Sequence, residues 1–149
     1  MTRGIRNNNP LNIRRVPGQH WKGQEPPSNS PLKGEDREFV QFSSVEYGIR
    51  AAFVLLRTYS RKYKLNCIRD IITRWAPPSE NDTERYIKNV CLWTGYGGNE
   101  RLTEDQWPRL VQAMGQIECG ALLSEDIIQK GFRLYKKDHG SHESHESHE

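Results

Sequence analysis

Two groups of residues in this chain have types and spacing that could do chemistry. The first is a single carboxylate, Glu118, in the run Gln116-Ile-Glu-Cys-Gly120. It follows Leu110, Val111, Met114 and Ile117, whose 3–4 spacing predicts a helix that stops at Gly120. A carboxyl at that end meets the negative pole of the helix and loses hydration beside an apolar stripe. Both effects raise its pKa. A carboxylic acid that keeps its proton near neutrality can protonate a leaving glycosidic oxygen. The structural alternative is a solvated Glu at a helix end.

The second group is the opening run Arg3-Gly-Ile-Arg-Asn-Asn-Asn-Pro-Leu-Asn-Ile-Arg-Arg15. Asn7, Asn8, Asn9 and Asn12 are framed by Arg3, Arg6, Arg14 and Arg15. Asn donates and accepts at once, so the cluster suits a ligand rich in hydroxyls and amides. The alternative is a polar turn. A further polar and aromatic stretch runs from Trp75 to Tyr86. Trp75 and Tyr86 offer flat faces for sugar rings, and Asn81 and Thr83 offer hydrogen bonds. The alternative there is that Asn81 caps a helix and Trp75 packs in the core. One of Glu35, Asp36 and Glu38 could partner Glu118 as base or electrostatic stabiliser, or the three form a solvated charge run.

Hydrophobic periodicity supplies the elements that must position these groups. Residues 1–43 carry Pro, Gly and Asn with no helical period. Trp21 and the Phe39–Phe42 alternation predict strands of a small sheet. Ser43 and Glu46 form a capping box. The helix they open has Val45, Ile49, Ala52, Phe53, Leu56, Tyr59 and Tyr63 on one face. A shorter helix with Ile68, Ile71, Ile72 and Trp75 inward ends before Pro77. Asn81 and Glu84 cap a third, with Tyr86, Ile87, Val90 and Cys91 on one face. Thr103 and Gln106 begin the Glu118 helix, with Pro108 in its first turn. Ser124 caps a last helix through Ile127, Ile128 and Leu134. The expected fold is α+β, mainly α, with a small N-terminal β lobe and about five helices.

Composition narrows the partners. The C-terminal Gly140–Glu149 run of Ser-His-Glu units reads as an expression tag, so the expected domain is a single one over residues 1–139. Setting aside Glu143, Glu146 and Glu149 leaves 16 acidic side chains against 22 basic ones, a net charge of +6 in place of +3. A basic surface suits polyanions such as nucleic acid, anionic lipid or the acidic bacterial cell wall, and charge alone does not choose among them. The Lys and Arg are dispersed and no nucleic-acid signature accompanies them, so no nucleic-acid partner is expected. His20 and His139 are the histidines outside the tag, which argues against a histidine-based metal site; no cofactor is implied. Cys67, Cys91 and Cys119 have no framework spacing and read as reduced thiols of a protein made in the cytoplasm. No signal peptide and no membrane-spanning run is evident, so action on the periplasmic wall or in a virion would need another system for delivery.

Arg3–Arg14, Phe39–Ala51 and Ile72–Tyr86 together resemble a family of small phage and prophage proteins labelled virion structural proteins, over most of residues 3–120. A second resemblance is to bacterial glucosaminidases of the autolysin and flagellar type. In these a catalytic Glu ends a helix and an Asn-Asn-Leu-Phe-Gly-Ile-Lys segment follows. A small sheet lobe, a Phe-x-x-Tyr-x-Ser-x-x-Glu-Ser-Ile helix start and a Tyr-Ala-Thr-Asp-Pro-x-Tyr stretch come after it. Asn8–Arg14 looks like the first segment, Phe39–Ile49 like the helix start, and Trp75–Tyr86 like the last. The order departs from that family, because only Met1 and Thr2 precede the Asn-rich run while the helix-terminal Glu is at position 118. A circularly permuted lysozyme-like domain would have this order, and close termini make such permutation structurally cheap. It requires Glu118 to lie beside the Asn-rich run and Tyr86.

The resemblance implies an enzyme that cleaves the glycan strand of peptidoglycan as a muramidase or lytic transglycosylase, and a monomer is expected. Glu118 would be general acid and base. Glu35 or Asp36 would assist if hydrolysis is the outcome. Asn8, Asn9, Asn12, Trp75, Asn81, Thr83 and Tyr86 would hold the sugar. One rival is a non-catalytic phage virion or tail component that binds wall or protein. Another is a nucleic-acid-binding helical domain of a phage particle.

Overall fold

The computed structural model describes residues 1–26 and 38–139. Five longer helices carry the architecture, preceded by the single turn α1 (Arg3–Arg6). They are α2 (Val45–Tyr63), α3 (Ile68–Trp75), α4 (Thr83–Thr94), α5 (Trp107–Cys119) and α6 (Glu125–Asp138). The predicted apolar faces turn inward: Ile49, Phe53 and Leu56 of α2, Ile71 and Ile72 of α3, Ile87 and Val90 of α4, and Leu110 and Met114 of α5 are buried. The longest helix, α2, packs most extensively on α6. Gly131 of α6 allows that approach, because a Cβ there would lie 2.5 Å from Ile49 Cγ2. Tyr135, fully buried, fills the seam against Phe53, Phe132 and Trp107, and its hydroxyl donates to Glu104 at 2.6 Å.

The helix ends agree in part with the capping signals. Thr103 and Gln106 form a reciprocal capping box on the 3-10 turn Glu104–Gln106 that leads into α5. Pro108 sits in the first turn of α5, Gly120 ends it with φ +76°, and Ser124 Oγ accepts from Ile127 N–H. Two expected caps shift by one residue. Asp82, not Asn81, caps α4 by accepting from Arg85 N–H, because Thr83 already begins the helix. Ser44, not Ser43, stands at the start of α2 and its side chain makes no capping bond.

The small β lobe does not form among the described residues. Residues 38–43 lie between two neighbouring segments. Arg15 N–H donates to Glu38 O (2.7 Å) and Val40 N–H to Ile13 O (2.9 Å) on one side. Glu25 N–H donates to Gln41 O (2.7 Å) and Ser43 N–H to Gly23 O (2.8 Å) on the other. Each side amounts to one antiparallel bridge, at Arg14–Phe39 and Gln24–Phe42. The asparagines are the reason. Asn9 Nδ2 donates to Val40 O at 2.8 Å and Ile13 O at 2.9 Å, so a side-chain amide takes positions that a ladder would fill with backbone. Asn8 and Asn12 adopt φ +55° and +53°, which turns the chain out of extended geometry. The chain is therefore mainly helical, and what was expected as a sheet is a loop braced by asparagine.

Candidate functional site

Glu118 lies in the last turn of α5, where its own backbone carbonyl lacks a helical partner. The N-terminal segment is docked on this helix end. Thr2 Oγ1 donates to Cys119 O at 2.7 Å. Gly4 permits close packing, since a Cβ there would stand 3.0 Å from both Asn9 O and Cys119 Cβ. The turn after α1 then brings Asn12 over Glu118. Asn12 Nδ2 donates to Glu118 O at 3.0 Å and to Glu118 Oε1 at 3.2 Å. One amide thus covers an orphan helix carbonyl and fixes one oxygen of the carboxyl.

The other oxygen belongs to Tyr86. Tyr86 is buried one turn into α4, and its hydroxyl donates to Glu118 Oε2 at 3.0 Å. Burial pushes the Glu118 carboxyl above its ordinary value. The hydrogen bonds from Asn12 and Tyr86 oppose that shift, as do the positive charges of Arg3 and Arg14, but burial prevails. The Tyr86 hydroxyl is held well above its ordinary value, first by burial and then by the adjacent Glu118 charge, so it acts as a donor and stays protonated. Arg3 and Arg14 both lie against the Phe39 ring, with guanidinium carbons 4.0 and 4.7 Å from its centroid. Arg14 also pairs with Glu38 at 3.0 Å.

Of the residues singled out in the sequence, Glu118, Asn12 and Tyr86 meet. The contacts of the other described ones are made within the fold. Asn9 is fully buried, and its Oδ1 accepts from Ile13 N–H at 2.9 Å, so its side chain is a brace. Asn8 donates to Phe42 O at 3.0 Å. Thr83 is buried and donates to Ala76 O at 2.5 Å, which holds the turn before α4. Asn81 is exposed and donates to Pro77 O. Trp75 stands edge-on to Tyr59, with ring centroids 6.0 Å apart. Glu35 and Asp36 lie outside the described residues. Arg3, Arg14 and Phe39 were not singled out as site residues. The signal for the two arginines was the basic framing of the asparagine run, and that for Phe39 the Phe39–Phe42 alternation.

A groove elsewhere on the surface does not include Glu118. It has a volume of about 1210 Å³ and runs between residues 16–22 and the outer face of α2. Tyr59 on its wall packs edge-on against Trp75. Among the described residues no cluster of His, Cys, Asp and Glu could hold a metal ion, and no helix is long and apolar enough to cross a membrane.

No protein-family model matches the chain. Among curated proteins it is similar to Protein P5 of Pseudoalteromonas phage PM2, with 42% identity over 133 residues. The match spans 87% of this chain and 79% of the phage protein. Identity at that level over most of both chains shows common descent, and the chain belongs to the family of that phage protein.

Proposed function

We propose that the protein is a lysozyme-like enzyme that cleaves the glycan strand of peptidoglycan, with Glu118 as its single general acid and base. One observation carries the reading: the Glu118 carboxyl is held between Asn12 Nδ2 and Tyr86 Oη, with its proton affinity raised by burial. These contacts are those required if a helix-terminal Glu and an Asn-rich segment belong to one permuted active site. The docking of Thr2 on Cys119 supports the same reading, because it places the start of the Asn-rich run where the Glu helix ends.

In this mechanism the protonated Glu118 gives its proton to the glycosidic oxygen as the C–O bond breaks. The leaving sugar departs as an alcohol. Asn12 and Tyr86 donate to the carboxylate that results, so the charge formed in the transition state meets donors already in place. Among the described residues, the charged groups that shift Glu118 are the cations Arg3 and Arg14. That environment favours chemistry with one carboxylate. A hydroxyl of the substrate then attacks the anomeric carbon and returns its proton to Glu118, which leaves an anhydro sugar end.

Digestion of purified peptidoglycan by wild type and Glu118→Gln tests the reading. Loss of the acid should lower fragment release by about 10²- to 10⁴-fold. Equal release by both proteins would sink the mechanism. Anhydro ends in the product masses would mark the transglycosylase route, and reducing ends hydrolysis. A second reading, a non-catalytic phage component, is favoured by the internal use of Asn8, Asn9 and Thr83. It predicts that neither protein releases fragments.

A further inference from the structure

The groove between residues 16–22 and α2 has an uneven charge balance. Lys22, Arg50, Lys62 and Arg74 line it, and Asp138 is its one acidic residue among the described residues. Asp138 is shared by Lys22 and Arg50, each at 2.9 Å. Burial pushes the Asp138 carboxyl up, but those two cations more than offset it and hold the group ionised. Lys62 and Arg74 have no such share in Asp138. Both lie on Tyr63, which is 39% exposed: the Arg74 guanidinium carbon is 3.8 Å and Lys62 Nζ 5.5 Å from its ring centroid. Arg74 also reaches over Tyr59, at 5.4 Å.

This arrangement selects a ligand. The Arg74 guanidinium lies over Tyr63 and hydrogen-bonds the Tyr59 hydroxyl, and a guanidinium so placed has further N–H groups to offer a carboxylate beside Lys62. A nucleic acid would want ring faces open for base stacking, whereas Arg74 and Lys62 already lie on Tyr63. Tyr59 on the groove wall packs on Trp75, the start of the polar and aromatic stretch that ends at Tyr86, the donor to Glu118. We propose that this groove binds the carboxylate-bearing peptide stems of the glycan strand, with Lys62 and Arg74 as the recognising pair. The inference rests on the peptidoglycan reading above and names the part of the substrate that the groove takes.

The test uses Glu118→Gln protein, so that binding is measured without turnover. Soluble glycan chains with their peptide stems are titrated against the same chains stripped of stems by an amidase. Stem-bearing chains should bind more tightly. Adding Lys62→Gln with Arg74→Gln should weaken them about tenfold, the loss of one charged hydrogen bond, and leave stripped chains unchanged. A thermal melt of the triple variant must match that of the Glu118→Gln parent; if it does not, Lys62→Gln alone is used, and it should show part of the same selective loss. Equal binding of both chains, or no effect of the variants, overturns the proposal. So does tighter binding of a single-stranded DNA oligonucleotide that the same variants abolish. If wild type fails to cleave either chain while stem-dependent binding persists, the catalytic reading of Glu118 fails and the groove assignment stands.

Discussion

Asn12 holds Glu118 from a distance of 106 positions in the chain, with one amide on both the backbone carbonyl and the carboxyl oxygen. Its backbone is left-handed, φ +53°, which Asn tolerates and most residues do not. The two roles can be separated. Asn12→Gly keeps the backbone and removes the amide. It should lower stability by roughly 1 kcal/mol and impair peptidoglycan cleavage more than stability. Asn12→Ala should cost about 1 kcal/mol more, for the strained φ. Urea unfolding of the pair checks this, and an alanine variant as stable as the glycine variant would contradict it.

The raised proton affinity of Glu118 has a consequence for folding that does not depend on activity. The folded state holds the proton more tightly than the unfolded chain does. Stability from this group is therefore complete below the ordinary carboxyl value and is lost as pH rises through the folded value. Glu118→Gln removes that loss. The variant should melt above wild type at neutral pH, and the gap should close below the ordinary Glu pKa. A constant gap across the range would mean that Glu118 does not titrate as placed.

Tyr86→Phe should move the pH profile of cleavage. The Tyr86 hydroxyl favours the ionised form of Glu118, so its removal leaves burial less opposed and the carboxyl higher still. On the proposed mechanism, in which Glu118 is the general acid, the alkaline limb of the rate profile should shift to higher pH. The maximal rate should fall, because the developing carboxylate loses a donor. A limb that moves down, or stays in place with a lower rate, would separate Tyr86 from the acid.

The helices were legible because each buries a face spaced at three and four residues, as Ile49, Phe53 and Leu56 of α2 illustrate. The sheet was misread for a physical reason. Alternation in Phe39–Phe42 marks an extended, half-buried segment, but it does not say whether backbone or side chains complete its hydrogen bonds. Here Asn9 does so for Val40 and Ile13. Asn9 looked like a ligand group for the same reason, since an amide suited to a sugar is equally suited to a loop. The neighbours of Glu118 could be inferred only through a family resemblance, because Asn12 and Tyr86 lie on other elements and no local period connects them. Its desolvation was readable from the apolar stripe of α5 alone.

Gly48 sets two rules against each other. In the interior of α2, alanine should stabilise the helix by up to about 1 kcal/mol over glycine. A Cβ at Gly48 would stand 2.2 Å from Asn8 O and 3.2 Å from Pro10 Cδ. The first contact is backbone, so no rotamer relieves it, and Asn8 is pinned by its own bond to Phe42 O. The clash should win, with Gly48→Ala destabilising by roughly 1–3 kcal/mol. Displacement of Asn8 should also disturb Asn12 and reduce cleavage. Gly97→Ala is the control, because its added Cβ would meet nothing nearer than 3.7 Å. It should stay within about 0.5 kcal/mol of wild type. A Gly48→Ala protein as stable as that control would show that the Asn-rich loop is not pressed on α2, and the support for Asn12 over Glu118 would have to come from elsewhere.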